Sequence, residues 1–281
     1  MSTLPRILLE GPVRQALVED LGRAGDLTSD ATVNADQSGR VALVARDHGV
    51  VAGLDAALLA FELIDPALTI EVTLLDGAPL TPGSVIATVA GSARSILTAE
   101  RVALNFVGHL SGVATATAGL VAAVAGTSTA ITCTRKTTPG LRALEKAAVR
   151  AGGGVNHRFG LDDAILIKDN HIAFAGGITS AVQRARARAG HLVKIEVEVD
   201  TLDQLRELID CGVDAVLLDN MAPATLREAV GLVDGRMVTE ASGRITVATA
   251  PAIAASGVDL ISAGWITHSA PVLDIGLDYL D

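Results

Sequence analysis

The sequence is poor in aromatic residues, which make up only 2% of its 281 residues. Proteins that bind single-stranded nucleic acid stack the bases on aromatic side chains, so the composition argues against that class. The formal net charge of −10 argues in the same direction, because binding to a phosphate backbone needs a basic surface. The sequence therefore predicts a protein without a nucleic-acid partner.

Cysteine is scarce as well, and histidine lacks the spacing of a metal site. The two cysteines, Cys133 and Cys211, are far apart, and the six histidines form no HExxH or similar motif. Free thiols of this kind are typical of proteins from a reducing compartment. The sequence predicts no disulfide and no zinc site.

Segments for export or membrane insertion are also missing from the pattern. The N-terminus lacks a basic stretch followed by an apolar core, which a signal peptide would show. The apolar runs are interrupted before they reach the ~18 residues of a membrane-spanning helix. We expect a soluble cytoplasmic protein that does not bind a membrane.

What the sequence does contain is a basic segment, residues 133–172, in an otherwise acidic chain. Its basic residues are Arg135, Lys136, Arg142, Lys146, Arg150, His157, Arg158, Lys168 and His171. A local concentration of positive charge in an acidic protein favours a pocket for a small, strongly anionic ligand.

The first third of the chain reads as α+β. Helical periodicity covers 5–22 and 54–64, and the segments 40–53 and 70–90 are rich in short β-strands separated by DG and PG turns. The segment GDLTSDATV, which follows the helical segment 5–22, is turn-rich. Residues 97–125 predict one or two apolar helices, of the kind that packs against another domain or subunit.

From residue 130 onward, strands and helices alternate. The predicted strands are Ala130–Thr134, Ala164–Ile167, Val193–Val199, Ala215–Leu218, Met237–Thr239 and Asp259–Ser262. The predicted helices are 140–150, 178–189, 201–210, 223–233 and 247–256. Right-handed crossovers make such strands parallel, and six strands are too few for a closed eight-stranded barrel.

Polar residues follow or end each predicted strand. They are Arg135-Lys136, Lys168-Asp169-Asn170, Glu198, Asp219-Asn220, Glu240-Ser242-Gly243 and Gly264. In α/β barrels the ligand site is built from the loops at the carboxyl ends of the strands. We therefore expect these side chains to surround one site.

The residue types suggest roles within that site. Arg135, Arg158 and Lys168 suit a ligand with several negative groups, because the arginine fork matches carboxylate and phosphate. Glu196 and Glu198 alternate along one strand, and Glu198 with Asp219 can hold ribose hydroxyls or a hydrated Mg²⁺. Structural ion pairing is the open alternative for Glu198 and Asp219. Solvent-exposed charge is the alternative for the cations, both at the strand ends and on the helix face of Arg142, Lys146 and Arg150.

Small residues offer less specific signals. Residues 242–244 (SGR) and 262–264 suit phosphate-binding loops of a barrel. The glycines 152–154 fit either a phosphate contact or an ordinary helix C-cap. His157 fits either a bound carboxylate or a structural hydrogen bond. No Walker or dinucleotide fingerprint is present, which disfavours ATPase and Rossmann functions.

Eight segments of the chain resemble one known family. They are TRKTTPGLRALEKAAVRAGGGVNHRFGL, LIKDNH, EDLGRAGDLTS, LTAERVALNFVGHLSGVAT, EVEVD, LLDN, EASG and THSAPVLDIGLD. Together they cover nearly the whole chain in the right order, and by them the sequence closely resembles the quinolinate phosphoribosyltransferases. The implied reaction transfers phosphoribosyl from phosphoribosyl pyrophosphate to quinolinate, giving nicotinate mononucleotide, pyrophosphate and CO₂ for NAD biosynthesis.

The resemblance also implies an architecture. It suggests an N-terminal α+β sandwich domain at 1–110, to which the tail 269–281 returns. A C-terminal open α/β barrel of six to seven parallel strands follows at 111–268. It further implies a homodimer, or a higher oligomer, whose active sites use residues of both subunits.

Individual site residues follow from the same resemblance. Those matching the quinolinate-binding positions are Thr134, Arg135, Lys136, His157, Arg158 and Lys168, with Arg101 entering from the partner subunit. Glu198 and Asp219 match carboxylates near the ribose and Mg²⁺, whereas Ser242, Gly243, Ala263 and Gly264 match loops that hold the 5′-phosphate. The expected catalytic groups are Lys136, Lys168, Glu198 and Asp219.

Four residues depart from the family pattern, and other functions remain open. Cys133, Ala147, Arg244 and Trp265 stand where Asp, Tyr, Gly and Ala are usual. The alternatives within the fold are a nicotinate phosphoribosyltransferase and a paralogue associated with molybdenum transport. The alternatives outside it are a Schiff-base aldolase that uses Lys168 and a non-catalytic anion-binding protein.

Overall fold

The computed structural model describes residues 4–280, which form two compact units. The first unit comprises the described residues of Met1–Ala118, Thr137–Gly153 and Ile266–Asp281, and the second comprises Gly119–Lys136 and Gly154–Trp265. Segment Thr137–Gly153 thus belongs to the first unit, which the sequence-based division into 1–110 and 111–268 did not anticipate.

The described residues contain helices of very different lengths. They are α1 (Arg6–Leu21), α2 (Leu27–Thr32), α3 (Leu54–Ile64), α4 (Ala93–Ala123), α5 (Arg142–Ala151), α6 (Asp169–Ala175), α7 (Ile178–Arg188), α8 (Leu202–Ile209), α9 (Pro223–Val233), α10 (Ala250–Ala254) and α11 (Trp265–His268).

The strands are mostly short. They are β1 (Ser38–Ala45), β2 (Gly49–Val50), β3 (Thr69–Val72), β4 (Pro79–Leu80), β5 (Val85–Ser92), β6 (Ala130–Thr132), β7 (Ile165–Ile167), β8 (Ile195–Val199), β9 (Ala215–Asp219), β10 (Val238–Ser242), β11 (Leu260–Ser262) and β12 (Ile275–Leu280).

An antiparallel sheet with the strand order β12-β1-β5-β3 lies in the first unit. Its central strand β1 pairs with β12 and β5, so that Leu43 lies opposite both Leu277 and Ala87. Residues 41–45 are all buried, which means that both faces of this strand are covered. That burial explains why its sequence, VALVA, is continuously apolar instead of alternating. The predicted antiparallel sheet is confirmed.

Helix α4 is one continuous helix of 31 residues, where one or two helices were predicted. In the first unit it passes close to the C-terminal segment: a Cβ atom at Gly112 would lie 2.0 Å from the carbonyl oxygen of Pro271. By length and hydropathy α4 could cross a membrane, so the prediction that no apolar stretch reaches that length was wrong. In the protein, 56% of its apolar window is buried, as is typical of a core helix.

Six parallel strands form the sheet of the second unit, in the order β6-β11-β10-β9-β8-β7. All six predicted strands are confirmed, with bounds shifted by up to three residues. The two strands of this sheet that come first in the sequence, β6 and β7, form its two edges. The predicted open α/β barrel is therefore confirmed.

Strand register places the acidic residues of this sheet on one face. Glu196 pairs with Ala215, while Glu198 and Glu240 both pair with Leu217, and Asp219 follows Leu217 by two residues. Because neighbours in register point to the same side, these carboxylates share a face. Buried residues of the other face are Ile195, Val197, Val199, Val216, Leu218 and Ala241.

Three short helices were not predicted from the sequence. The turn-rich segment after α1 contains α2, whose first turn is capped by Asp26 through a hydrogen bond of 2.9 Å from the backbone N–H of Ser29. Helices α6 and α11 begin directly after the loops that end β7 and β11. Helices this short lack the repeated apolar spacing that identifies longer ones.

Candidate active site

The predicted strand-end residues lie at the same edge of the second unit's sheet. Lys136 follows β6, Lys168 follows β7, Asp219 and Ser242 end β9 and β10, and Ala263 follows β11. Parallel strands place their carboxyl ends side by side, so the fold brings these residues to one edge. The structure thus provides the arrangement that their spacing in the sequence predicts.

Lys168 and Glu198 form an ion pair across the adjacent strands β7 and β8. The lysine side chain is 45% exposed, whereas that of Glu198 is 14% exposed. The backbone N–H of Lys168 donates to Nδ1 of His171 at 3.0 Å, which fixes the start of α6. An ammonium group at a strand end, on a side chain that is partly exposed to solvent, can reach the oxygens of an anionic ligand.

Arg158 lies in the loop between α5 and β7 and is half-buried. Its Nη1 donates to the carbonyl oxygen of Ala164 at 3.0 Å. Burial lowers the pKa of Arg158, and the nearby charge of Arg135 lowers it further, while Asp163 and Glu196 act in the opposite direction. Two arginines with like charges therefore lie close together, an arrangement that favours binding of two negative groups.

Lys136 is exposed, and Arg135 beside it is half-buried. The backbone N–H of Lys136 donates to the hydroxyl oxygen of Thr134 at 3.0 Å, so the predicted Thr134 shapes the turn that carries both cations. Cys133, one residue earlier, is buried and donates from Sγ to Oδ1 of Asn156 at 3.3 Å. Within the described residues, neither Cys133 nor Cys211 forms a disulfide.

His157 interacts with two acidic residues of the parallel sheet, one on β8 and one on β10. Its Nε2 lies 2.9 Å from Oε2 of Glu196 and 3.7 Å from Oε2 of Glu240. Glu240 is only 1% exposed. Burial, followed by the charge of Glu196, raises the pKa of Glu240 to about 7. We call these three residues the imidazole-carboxylate cluster.

The ends of β9 and β10 form a tight pair of turns. The side-chain amide of Asn220 donates to the carboxylate of Asp219, and the backbone N–H of Asn220 donates to the carbonyl oxygen of Ser242 at 2.9 Å. Asn220 and Gly243 both have positive φ, of 53° and 111°. A Cβ atom at Gly243 would lie 2.3 Å from Oδ1 of Asn220, so the turn requires glycine there.

The two predicted phosphate loops are linked by a residue that departs from the family pattern. Nε1 of Trp265 donates to the carbonyl oxygen of Ile245 at 2.8 Å, and Ile245 belongs to the loop after β10. Arg244, in the same loop, has a φ of 48°, a conformation that suits the glycine usual at this position. On the other side, the N–H of Ala263 donates to the carbonyl oxygen of Thr132 at 3.1 Å.

The helix face of Arg142, Lys146 and Arg150 is not uniform. Lys146 is 3% exposed, and Arg142 donates from Nε to the hydroxyl oxygen of Thr137 at 3.0 Å. Arg150 is exposed. Gly152 packs tightly, since a Cβ atom there would lie 2.3 Å from the carbonyl oxygen of Ala114, which favours the C-cap interpretation of this glycine over a phosphate contact.

A cleft of about 600 Å³ in the first unit contains none of the strand-end residues. It is lined by α1, α4 and the turn 139–141. His109, on its wall, lies 2.9 Å from Oε1 of Glu145, which is fully buried and also accepts from the backbone N–H of Thr138. Arg101 lies in this first unit as well, exposed on α4.

Two residues of the imidazole-carboxylate cluster were not among the predicted site residues. Glu240 was expected near the site from its strand-end position, and Glu196 was noted for its alternation with apolar residues, but the sequence assigned no role to either. An acidic residue within an apolar strand was the available signal, because a buried carboxylate needs a partner. The partner, His157, is distant in sequence, so the pairing itself was not predictable.

Comparison with known proteins covers nearly the whole chain. Residues 26–111 match the family description "Quinolinate phosphoribosyl transferase, N-terminal domain", and residues 113–278 match the corresponding C-terminal domain. A protein of Bacillus subtilis named probable nicotinate-nucleotide pyrophosphorylase [carboxylating] is 47% identical, over 93% of this chain and 90% of that protein. The nicotinate-nucleotide pyrophosphorylase [carboxylating] of Mycobacterium leprae is 45% identical, over 95% of both chains.

Solved structures agree with the fold. The crystal structure of NadC from Streptococcus pyogenes superposes with a TM-score of 0.94 at 41% identity, covering 100% of both chains. A human nicotinic acid phosphoribosyltransferase superposes with a TM-score of 0.61 at 16% identity, over 96% of this chain and 74% of that one, and so shares the fold alone.

Proposed function

The chain belongs to the quinolinate phosphoribosyltransferase family, and from this premise we propose how its residues bind and activate the substrates. The enzyme transfers the phosphoribosyl group of phosphoribosyl pyrophosphate to quinolinate and releases pyrophosphate and CO₂. The product is nicotinate mononucleotide, an intermediate of NAD biosynthesis. The match to both domains of the family is the observation that carries this assignment.

Quinolinate is a pyridine with carboxylates on two adjacent ring carbons. Arg135 and Arg158 lie close enough to shift the pKa of Arg158, and in our proposal each binds one carboxylate. The planar arginine fork gives such contacts both strength and direction. Thr134 and Lys136 complete the cationic turn after β6, and Nδ1 of His157 accepts a hydrogen bond from the backbone N–H of Arg158.

Phosphoribosyl pyrophosphate is proposed to lie across the remaining strand ends. Lys168 reaches the pyrophosphate, Glu198 and Asp219 face the ribose hydroxyls, and the loops after β10 and β11 hold the 5′-phosphate. The bond between ribose C1 and the pyrophosphate oxygen breaks, and positive charge develops on the ribose ring. The carboxylates of Glu198 and Asp219 stabilise this developing positive charge.

The pyridine nitrogen then forms the new bond to C1 and becomes positively charged. The carboxylate on the neighbouring carbon leaves as CO₂, and its bonding electrons stay on the ring carbon, where the adjacent N⁺ stabilises them. A proton from solvent completes the product. No side chain forms a covalent bond in this scheme, so positioning and electrostatics supply the rate enhancement.

We propose Mg²⁺ as the cofactor, held by Glu198 and Asp219 directly or through water. The residues fit this ion, because carboxylate oxygens are its preferred protein ligands and both side chains are half-buried at one edge of the sheet. Bound Mg²⁺ would neutralise charge on the departing pyrophosphate. Full turnover in the presence of EDTA would contradict this assignment.

We further propose a cytoplasmic homodimer in which Arg101 of one subunit completes the active site of the other. Arg101 is exposed on α4, and Leu97, one turn earlier, is an apolar side chain that is 42% exposed. Arginine is enriched in protein interfaces, which supports this placement of Arg101.

The test is an assay with quinolinate, phosphoribosyl pyrophosphate and Mg²⁺ that measures nicotinate mononucleotide and CO₂. We expect turnover with quinolinate and none with nicotinate, because only the dicarboxylate uses both arginines. Equal turnover of nicotinate would contradict the assignment. The aldolase alternative is disfavoured, because Lys168 is ion-paired and 45% exposed, whereas a Schiff-base lysine works as a desolvated neutral amine.

A further inference from the structure

The imidazole-carboxylate cluster adjoins Arg158, one of the cations that we assign to quinolinate. Glu196 belongs to β8 and Glu240 to β10, and the ring of His157 reaches both carboxylates. The side chains of His157 and Glu196 are 12% and 13% exposed. The three groups therefore interact in a site that is largely removed from water, where a hydrogen bond is stronger than at the surface.

The hydrogen bonds define the tautomer of His157. The backbone N–H of Arg158 donates to Nδ1 of His157 at 2.7 Å. A backbone N–H is always a donor, so Nδ1 carries no proton, and the single ring proton must be on Nε2. That proton points to Oε2 of Glu196, which lies 2.9 Å from Nε2. His157 is thus a neutral imidazole with both ring nitrogens in use.

This tautomer bears on what the cluster can do. Atoms of all three side chains lie within 4.8 Å of one another, a spacing that a metal ion could also use. To bind a metal ion, His157 would need the lone pair of Nε2, but that nitrogen carries the proton of its hydrogen bond to Glu196. The geometry therefore favours a hydrogen-bonded support over a cation site.

We propose that Glu196 is a positioning residue for the quinolinate half of the active site. Its carboxylate orients the ring of His157, and the other side of that ring holds the peptide of Arg158. Glu196 acts through this hydrogen bond and does not touch the substrate. The proposal rests on the proposed function, since it assigns Arg158 to a carboxylate of quinolinate.

Two substitutions of Glu196 separate the effect of side-chain length from the effect of its negative charge. Glu196→Asp keeps the charge but withdraws the carboxylate by about 1.5 Å, the length of one C–C bond. Glu196→Gln keeps the length, and its amide oxygen still accepts from Nε2. We expect Glu196→Asp to raise KM for quinolinate about tenfold while KM for phosphoribosyl pyrophosphate stays within about twofold, and Glu196→Gln to remain within about threefold of wild type for both substrates.

A second measurement asks whether Glu196 acts through His157. In a His157→Ala background the ring is absent, so adding Glu196→Asp should change KM for quinolinate by less than about twofold. An exposed glutamate of the same unit, Glu228, pairs only at the surface with Arg206, and Glu228→Asp is the matched control. Melting temperatures of all variants establish that each one is folded.

Several results would overturn the proposal. They are wild-type KM for Glu196→Asp, a loss with Glu196→Gln as large as with Glu196→Asp, an equal rise of KM for both substrates, or an undiminished effect without His157. A larger loss with Glu196→Gln than with Glu196→Asp would assign Glu196 to charge compensation of Arg158. Failure of the proposed function itself looks different: the wild-type enzyme would not turn over quinolinate at all.

Discussion

Glu240 is the residue whose titration the fold changes most clearly. Its burial raises the pKa to about 7, and repulsion by Glu196 on β8 adds to the shift, whereas the charge of Lys168 acts against it. In the unfolded chain the group titrates near 4.5. Between these values the folded state binds a proton that the unfolded state has lost, so its stabilising effect is complete below pH 4.5 and disappears as pH rises through 7.

We therefore predict that Glu240→Gln stabilises the protein more at pH 8 than at pH 5.5. Glutamine has nearly the same size and stays neutral, so it avoids the ionisation penalty, which is on the order of 3 kcal/mol at most. Thermal melts at both pH values measure the difference, and we expect several degrees. Glu228→Gln, an exposed control, should show no such trend. A melting difference for Glu240→Gln that is the same at both pH values would contradict the prediction.

Single residues were predictable where the period of a strand revealed their direction. Glu198 and Asp219 end or nearly end apolar strands, and their place at the carboxyl edge follows from that pattern alone. The raised pKa of Glu240 was not predictable, because it depends on burial in the fold and on the charge of Glu196, which lies far away in sequence. The burial of Lys146, at 3% exposure, was likewise not predictable, because the charged residues of its helix have the spacing of a solvent-exposed face.

At the scale of elements, the turn after β10 depends on one glycine. Gly243→Ala should destabilise the protein by about 1–3 kcal/mol because of its positive φ, and further because the new Cβ would press on Asn220. Since Asn220 binds Asp219, we expect KM for phosphoribosyl pyrophosphate to rise about tenfold. Denaturant melts and steady-state kinetics measure the two effects.

Gly235→Ala is the matched control for that turn. Gly235 also has a positive φ, of 69°, but a Cβ atom there would meet nothing within 4 Å. It should therefore cost stability through backbone strain while leaving KM unchanged. Equal kinetic effects of the two substitutions would show that the contact with Asn220 is unimportant.

Most elements of the fold were predictable, because long apolar runs bounded by polar residues identify strands and helices. Strands β6 to β11 and the helices α1, α3, α7, α8 and α9 lie where the sequence placed them. Helices α2, α6 and α11 were not predictable, since a helix of seven residues or fewer shows at most two turns of a pattern. In α2 the cap at Asp26 carries much of the signal, and that residue also suits a turn.

At the scale of the whole molecule, contacts distant in sequence limited the prediction. Segment Thr137–Gly153 directly follows Arg135 and Lys136 in the chain, yet it packs within the first unit. Buried Glu145, which binds His109 of α4 and the backbone of Thr138, is part of that packing. A local periodicity carries no information about such a contact, because a helix with this pattern can pack against many surfaces.

At the scale of the assembly, an active site shared between subunits can be recognised because two inactive variants restore activity when they form mixed dimers. Arg101→Ala and Lys168→Ala should each be inactive alone. If Arg101 serves the site of the other subunit, a mixed dimer has one intact site, and random mixing of equal amounts should restore about a quarter of wild-type activity. Mixing Arg101→Ala with Arg101→Met, which leaves no site intact, is the control. If Arg101 served its own subunit, every site in the mixed dimers would retain a defect and no activity would return.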